Sequence, residues 1–127
     1  VQSTANAGLV APHASNLVID PGTKTVDDLI KDADRGIYVT SDWYLRYQNY
    51  STGDFSTIPR DAIFSIVDGR IDRPVRQLRL SDNMLRVLGG VSGLTQERTW
   101  VKWWEVETPT LAPTALVSSV KFTRSRM

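Results

Sequence analysis

The sequence contains no cysteine and only one histidine, His13. No disulfide can form, and a cysteine-ligated metal site or a thiol nucleophile is excluded. A histidine-based zinc site needs two or three imidazoles, which this chain cannot supply. An excess of one charge is missing as well: 15 Lys+Arg against 14 Asp+Glu leave a net charge of +1. That balance gives no electrostatic footprint for a nucleic acid or a membrane surface. No apolar run approaches the roughly 18 residues of a transmembrane helix, and no basic segment precedes an apolar run as in a signal peptide. A cytoplasmic protein is the default expectation. Lysine and glutamate are scarce, with 4 and 3 residues against 11 Arg and 11 Asp. Aspartate suits turns and caps better than long helices. At 127 residues and 41% hydrophobic, the chain reads as one domain with a loop-rich β character.

The chain begins at Val1, not Met, as a processed chain or a fragment would. Small residues near the start (Ser3, Ala5, Ala7, Gly8) suggest a linker-like lead-in over 1–15, followed by a β domain over 16–127. Leu17-Val18-Ile19 ends at Asp20-Pro21-Gly22, a turn in which Pro21 presets φ and Gly22 permits positive φ. A helix follows: Thr25 caps it, Asp28 completes a capping box, and Val26, Leu29, Ile30 and Ala33 form its apolar stripe. Gly36 is its expected stop. Ile37–Thr40 reads as a strand. Trp43–Tyr50 fits both periods, and its Tyr and Trp content favours a strand. Ser51-Thr52-Gly53-Asp54 is a turn. Asp68-Gly69 between two β-like runs predicts a two-residue hairpin, with Pro74 placing the returning strand at an edge. Gln77–Leu80 continues extended, and Ser81 then caps a short helix carrying Met84, Leu85, Val87 and Leu88, ended by Gly89-Gly90. Trp100–Glu107 is a strand with Trp103 and Trp104 on opposite faces. Pro109 and Pro113 bound a loop, and Ala115–Phe122 makes the last strand.

Few residues suggest chemistry. His13 lies in the lead-in, without an evident nucleophile or orienting carboxylate beside it. Asp27, Asp28, Asp32 and Asp34 crowd one helix but lack the spacing of a calcium loop, so a solvated face is the plainer reading. Arg70, Arg73, Arg76 and Arg79 recur every three residues, which along a strand divides them between two faces. Gly89-Gly90-Val91-Ser92-Gly93 lacks the lysine of a phosphate loop and reads as a helix terminator and turn. The paired tryptophans hint at an interface, Trp being enriched at binding hot spots.

Several of these segments combine into a family pattern. Thr4-Ala5-Asn6-Ala7-Gly8 is similar to a T-G-N-A segment, with Ala5 for the glycine. Asn16-Leu17, Pro21-Gly22 and Leu29-Ile30 resemble an N-L…P-G…L-I opening. Asp34-Arg35-Gly36-Ile37-Tyr38-Val39-Thr40 resembles D-R-G-hydrophobic-V-T. Asn49 with Thr52-Gly53-Asp54-Phe55-Ser56 resembles N…T-G-D-[FY]-S. Asp68-Gly69-Arg70-Ile71 with Pro74-Val75 is similar to an N-G-E-I…P-V hairpin. Asp82-Asn83 before Leu85 resembles a stretch with Asn ahead of an apolar helix, and Pro109, Leu111 and Leu116-Val117 suit a closing strand. Together they resemble the C-terminal domain of the TldD/PmbA family, metallopeptidases also known as modulators of DNA gyrase. T-G-D-F-S is more similar to the PmbA side.

The resemblance implies a mainly β, α+β domain with two short helices in a barrel-like or sandwich arrangement. It implies a role in proteolysis or peptide maturation, as a cleft wall or dimerisation domain, with a peptide or unfolded protein as substrate and a TldD/PmbA-like subunit as homo- or heterodimeric partner. In the active branch, zinc is held by an upstream H-E-x-x-x-H helix and a C-terminal cysteine. Neither is present here, and Trp100–Glu105 carries no cysteine. Zinc is thus left to a parent chain or a partner subunit, with no catalytic or metal-binding residue in this segment. If residues here touch substrate, Asn49, Gly53, Asp54 and Ser56 are the candidates, because their turn offers hydrogen-bonding groups to an extended peptide; a purely structural turn is the alternative. The other function class is a stand-alone β-barrel module that binds single-stranded nucleic acid through Arg and Trp.

Overall fold

The structure, a computed structural model, describes residue 12 and residues 14–124. His13 and the Thr4–Gly8 segment lie outside the described residues, as does most of the proposed lead-in. The described residues form ten strands and two helices in three sheets. The expected mainly β domain with two short helices is what forms. The sheets do not close into a barrel; they stay open and lie against one another in a sandwich-like way.

The first sheet orders β1 (Leu17–Val18), β9 (Val106–Val117) and β8 (Val91–Trp103), with β1 parallel to β9 and β8 antiparallel to it. β8 and β9 are much longer than the sequence suggests. Pro109 and Pro113 lie inside β9 instead of bounding a loop, and the strand called for over Ala115–Phe122 is divided: its first residues end β9. Proline cannot donate to a ladder, so a central strand tolerates it only where pairing is already broken. Both prolines sit at such places: pairing shifts register between Leu94 and Arg98, opposite Pro113, and between Val101 and Trp103, near Pro109. At the first shift, the buried Thr95 substitutes for the lost ladder. Its hydroxyl accepts from Thr114 N–H at 2.9 Å and donates to Glu97 C=O at 2.7 Å. The bulged backbone also pairs outward: Gly22 N–H donates to Thr95 C=O, and Gln96 N–H donates to Lys24 C=O.

The second sheet orders β10 (Phe122–Arg124), β7 (Leu78–Asn83), β4 (Asp54–Pro59) and β3 (Asp42–Asn49), all antiparallel. β4 is central to this sheet, and the sequence reading passed over it. The third sheet orders β2 (Gly36–Val39), β5 (Ile63–Val67) and β6 (Arg70–Pro74). Its hairpin turn is the expected Asp68-Gly69, both at positive φ (50° and 67°) as a type I′ turn needs. Pro74 sits at the end of the edge strand β6.

Helix α1 (Val26–Ala33) has the full capping box between Thr25 and Asp28. Its C-cap is Asp34 at φ 53°, not Gly36, which instead opens β2. Asp34 C=O accepts from Gly69 N–H at 2.9 Å, tying the helix end to the β5–β6 turn. Leu29 and Ile30 bury the apolar stripe, and Leu29 fills the space a side chain at Gly93 of β8 would need. Helix α2 (Met84–Gly89) is capped by Asn83, because β7 runs on through Ser81. It ends at Gly90 as expected, but Leu85 and Leu88 stay exposed.

Candidate functional site

The turn joining β3 to β4 gathers three of the four predicted site residues. Asn49 C=O accepts from Gly53 N–H at 2.9 Å, and Asn49 Oδ1 accepts from Ser51 N–H at 3.0 Å. Gly53 holds φ +79°, which a side-chain-bearing residue adopts at a cost. Its C=O accepts from Met84 N–H at 2.8 Å. Asp54 receives the Asn83 side-chain amide at 2.9 Å and the Thr52 hydroxyl at 2.6 Å. Those two donors, Asn83 first, hold the Asp54 carboxyl below the usual carboxylate value. Ser56 stands apart. It is buried in β4, with its hydroxyl 3.2 Å from that of Ser81 and accepting from Arg79 Nη1 at 2.9 Å.

Asn83 joins this turn to α2. Its amide nitrogen also donates to Thr52 C=O at 2.7 Å, and its amide oxygen caps the helix by accepting from Leu85 N–H and Arg86 N–H. Next to it, the buried Asp82 carboxylate accepts from Asn83 N–H at 2.7 Å, Arg86 Nε at 2.8 Å and Lys121 N–H at 2.8 Å, and also pairs with Arg86 Nη2. Desolvation pushes this carboxyl up. The backbone N–H groups of Lys121 and Asn83, together with Arg86, outweigh it, so the net shift is downward. Arg86 Nη1 also donates to Ser119 C=O at 2.7 Å. Asn83, Asp82 and Arg86 were not among the predicted site residues. The readable signals were an Asn directly before an apolar helix and an Asp–Arg pair at i,i+4 spacing.

A second cluster is aromatic. Trp103 ends β8, while Trp104 lies in the β8–β9 turn, so the two are not opposite faces of one strand. Their rings lie 5.9 Å apart. The turn meets β3 at Tyr44, whose backbone sits at φ 53° within a bulge. Glu105 Oε2 accepts Tyr44 N–H at 2.8 Å, and Glu105 Oε1 pairs with Arg46 Nη1 at 3.1 Å. The Tyr44 ring lies 5.7 Å from Trp104 and 5.3 Å from the guanidinium carbons of both Arg46 and Arg60. Trp104 is 58% exposed and Trp100 57%, a surface of the kind found at interface anchors.

The residues present do not fit a zinc site. Among the described residues, no three His, Cys, Asp or Glu side chains are grouped to hold a metal ion. The acidic residues of α1 have structural partners instead. Asp28 accepts from Thr25 N–H at 3.0 Å and from its hydroxyl at 2.7 Å, which lowers its carboxyl pKa, and Asp32 pairs with Lys24. The arginine series is divided between sheets: Arg70 and Arg73 lie on the edge strand β6, and Arg79 lies on β7 against Ser56. No helix among the described residues is long and apolar enough to cross a membrane.

The PmbA/TldA metallopeptidase C-terminal domain family matches residues 1–124. Three solved structures are similar in fold. A protein from Thermotoga maritima named as a modulator of a DNA gyrase is 26% identical over 85% of this chain, with a TM-score of 0.72. A Bacteroides thetaiotaomicron protein of similar name is 25% identical over 84%, with a TM-score of 0.67. TldE from Thermococcus kodakarensis is 20% identical over 95%, with a TM-score of 0.77, a likeness of fold alone. The matched residues span 24%, 22% and 26% of those chains. A comparison with curated proteins finds no match.

Proposed function

Because the chain belongs to the PmbA/TldD metallopeptidase family through its C-terminal domain, we propose that it serves as a non-catalytic wall of a peptide-binding cleft and as a pairing surface for a TldD- or TldE-like subunit. One observation carries this reading: the family pattern spans residues 1–124, yet the chain has no cysteine and one histidine. It therefore has the family's scaffold without a donor set for zinc. Catalysis in this reading belongs to a parent chain or a partner, which supplies a metal-activated water for peptide hydrolysis or maturation in the cytoplasm. We read the T-G-D-F-S run at Thr52–Ser56 as favouring the PmbA side of the family.

Within the wall, of the candidates Asn49, Gly53, Asp54 and Ser56, we assign substrate contact to Asn49 and Gly53 and a supporting role to the other two. Asn49 is exposed at the end of β3, close in sequence to a pair of exposed tyrosines, Tyr47 and Tyr50, whose rings are 5.0 Å apart. Such a surface can take an extended peptide through aromatic contact and amide hydrogen bonds. Asp54 and Ser56 act from beneath, fixing the turn and the strand that carries it.

The test is fluorescence anisotropy with a fluorescein-labelled, unstructured casein peptide, read beside sedimentation of the chain with a TldE-like subunit. The chain is expected to bind the peptide or to co-sediment with the subunit, and Asn49→Ala is expected to weaken peptide binding about tenfold. Absence of both peptide binding and co-sedimentation would reject the wall reading, and elemental analysis finding one tightly held zinc per chain would reject the non-catalytic part of it.

A further inference from the structure

Three open sheets have six edge strands, and an unguarded edge is a template on which another chain can pair. Five of the six edges are guarded. β1 and β10 are only two and three residues long. β3 is bent by two register shifts, with Tyr44 at φ 53° within the first. β6 carries Arg70, Asp72 and Arg73 and ends on Pro74. β2 is four residues long and half-buried at Ile37, Tyr38 and Val39.

β8 is the exception. Residues 22–24 pair with it only at residues 94–96. Beyond them its register with β9 is unbroken from Arg98, opposite Pro113, to Val101, opposite Thr110. Among the described residues, no strand lies on its other side there, and residues 97–102 are all exposed. Thr99, Trp100 and Val101 are residue types that favour strands. Trp100 is 57% exposed and has no ring partner among the described residues. Arg98, the one charge inside the regular stretch, is turned back from the open edge. Its Nη1 donates to Ile19 C=O at 3.2 Å, on the far side of β9.

We propose that residues 97–101 of β8 pair antiparallel with the same stretch of a second copy of this chain, joining two three-stranded sheets into one of six strands. This rests on the pairing half of the proposed function, to which it gives a surface and a partner; the peptide-contact half plays no part in it. The self-complementarity of the strand argues for a second copy. A two-fold axis normal to the sheet keeps each face of the sheet on itself, so it passes through a residue that meets its own copy. The midpoint of residues 98–101 falls between Thr99 and Trp100, which leaves those two positions. An axis at Trp100 sets Arg98 against Lys102 of the second copy twice, and like charges directly opposite each other repel. An axis at Thr99 has no such clash: Thr99 meets Thr99, and Glu97 meets Val101. Trp100 then lies against Arg98 of the second copy. The bond to Ile19 holds that arginine extended, so its stem and guanidinium give the ring an apolar and cationic surface. Two tryptophans covered in this way supply the apolar area of the contact.

Sedimentation equilibrium of the chain alone tests it. A monomer–dimer equilibrium is expected, with a dissociation constant on the order of 10⁻⁵ M, as suits a small interface. Thr99→Lys and Thr99→Asp, made separately, are each expected to weaken association about tenfold or more, because the residue meets its own copy at the axis. Mixed in equal amounts, the two variants are expected to associate at least as well as the parent, which also shows that both fold. Trp100→Ala is expected to weaken the dimer about tenfold with the near-ultraviolet dichroism of a folded chain kept. A chain still monomeric at about 1 mM overturns the proposal, as does a dimer that none of the three substitutions weakens. A loss in both Thr99 variants that mixing does not restore overturns the two-fold pairing at Thr99. A lone chain that stays monomeric yet co-sediments with a TldE-like subunit overturns this inference and leaves the proposed function standing. A dimer that behaves as expected at Thr99 but binds neither peptide nor subunit does the reverse.

Discussion

Gly22 illustrates how one residue's role changes once its surroundings are known. After Asp20-Pro21, it reads as the position that needs positive φ. In the structure, positive φ among the glycines belongs to Gly53 and Gly69. Gly22 is required for a different reason: a Cβ there would stand 2.0 Å from Leu94 O and 2.6 Å from Leu94 C. Those atoms are backbone and cannot swing aside. The same backbone approach lets Gly22 N–H donate to Thr95 C=O at 2.9 Å, closing the bulge in β8. Gly22→Ala is therefore expected to destabilise the chain by about 3 kcal/mol, the upper end of overpacking costs. The check is the urea midpoint at unchanged slope, and a loss within a few tenths of a kcal/mol would show that β8 can move away. The sequence marks Gly22 as a glycine position, but for positive φ and not for space. The need for space was not legible, because Leu94 is 72 residues further along the chain.

At the level of elements, local signals were read well and non-local ones poorly. Thr25 and Asp28 announce α1 because a capping box is completed within four residues. Asp68-Gly69 announces its hairpin for the same reason. Strand β4 escaped notice because its alternation is interrupted by buried Ser56 and Thr57, whose burial depends on flanking strands β3 and β7. The prolines of β9 misled because only the partner strand's bulges make them tolerable. The site divides likewise: Asn49, Gly53 and Asp54 meet within one turn, whereas Asn83, which binds them to α2, arrives from 29 residues beyond Asp54. A cap readable from sequence yields a sharp prediction. Thr25→Ala removes the hydroxyl that accepts Asp28 N–H and donates to Asp28 Oδ2. It is expected to cost about 1 kcal/mol, while Thr25→Ser stays near neutral. By NMR titration, the Asp28 pKa should rise part of the way toward 3.8, since the leading cause of its depression, the Thr25 backbone N–H, remains. An unmoved Asp28 would mean that the hydroxyl contributes nothing to the cap.

Across the whole molecule, carboxylates hold a helix cap, a turn and the seat of α2, and that makes acid a weak point. Asp28, Asp54 and Asp82 each have a pKa below 3.8 in the folded chain. A carboxylate depressed on folding stabilises the fold above its unfolded pKa, and that contribution is lost as pH falls through the folded value. Asp42, the first residue of β3, has the opposite sign: although part of it is exposed, the protein around it pushes its carboxyl up by desolvation. Its protonation favours the folded state as pH falls, so it works against the other three. The net expectation is a plateau of stability above the ordinary carboxylate range and a fall below about 3.8. Asp82 should dominate the fall, because its side chain is 1% exposed and pins α2 and the β9–β10 connection through Arg86 and Lys121 N–H. Asp82→Asn leaves Arg86 without its counter-charge. It is expected to cost about 3 kcal/mol at neutral pH, toward the lower end for a broken buried pair because Arg86 is 37% exposed. It should also flatten the acid limb, since one proton fewer is taken up on unfolding. Urea midpoints across a pH series for both proteins measure the two effects together. A variant with the parent's acid slope would show that Asp82 keeps its ordinary titration in the folded chain, and that the link between α2 and β10 owes its strength to hydrogen bonding without charge.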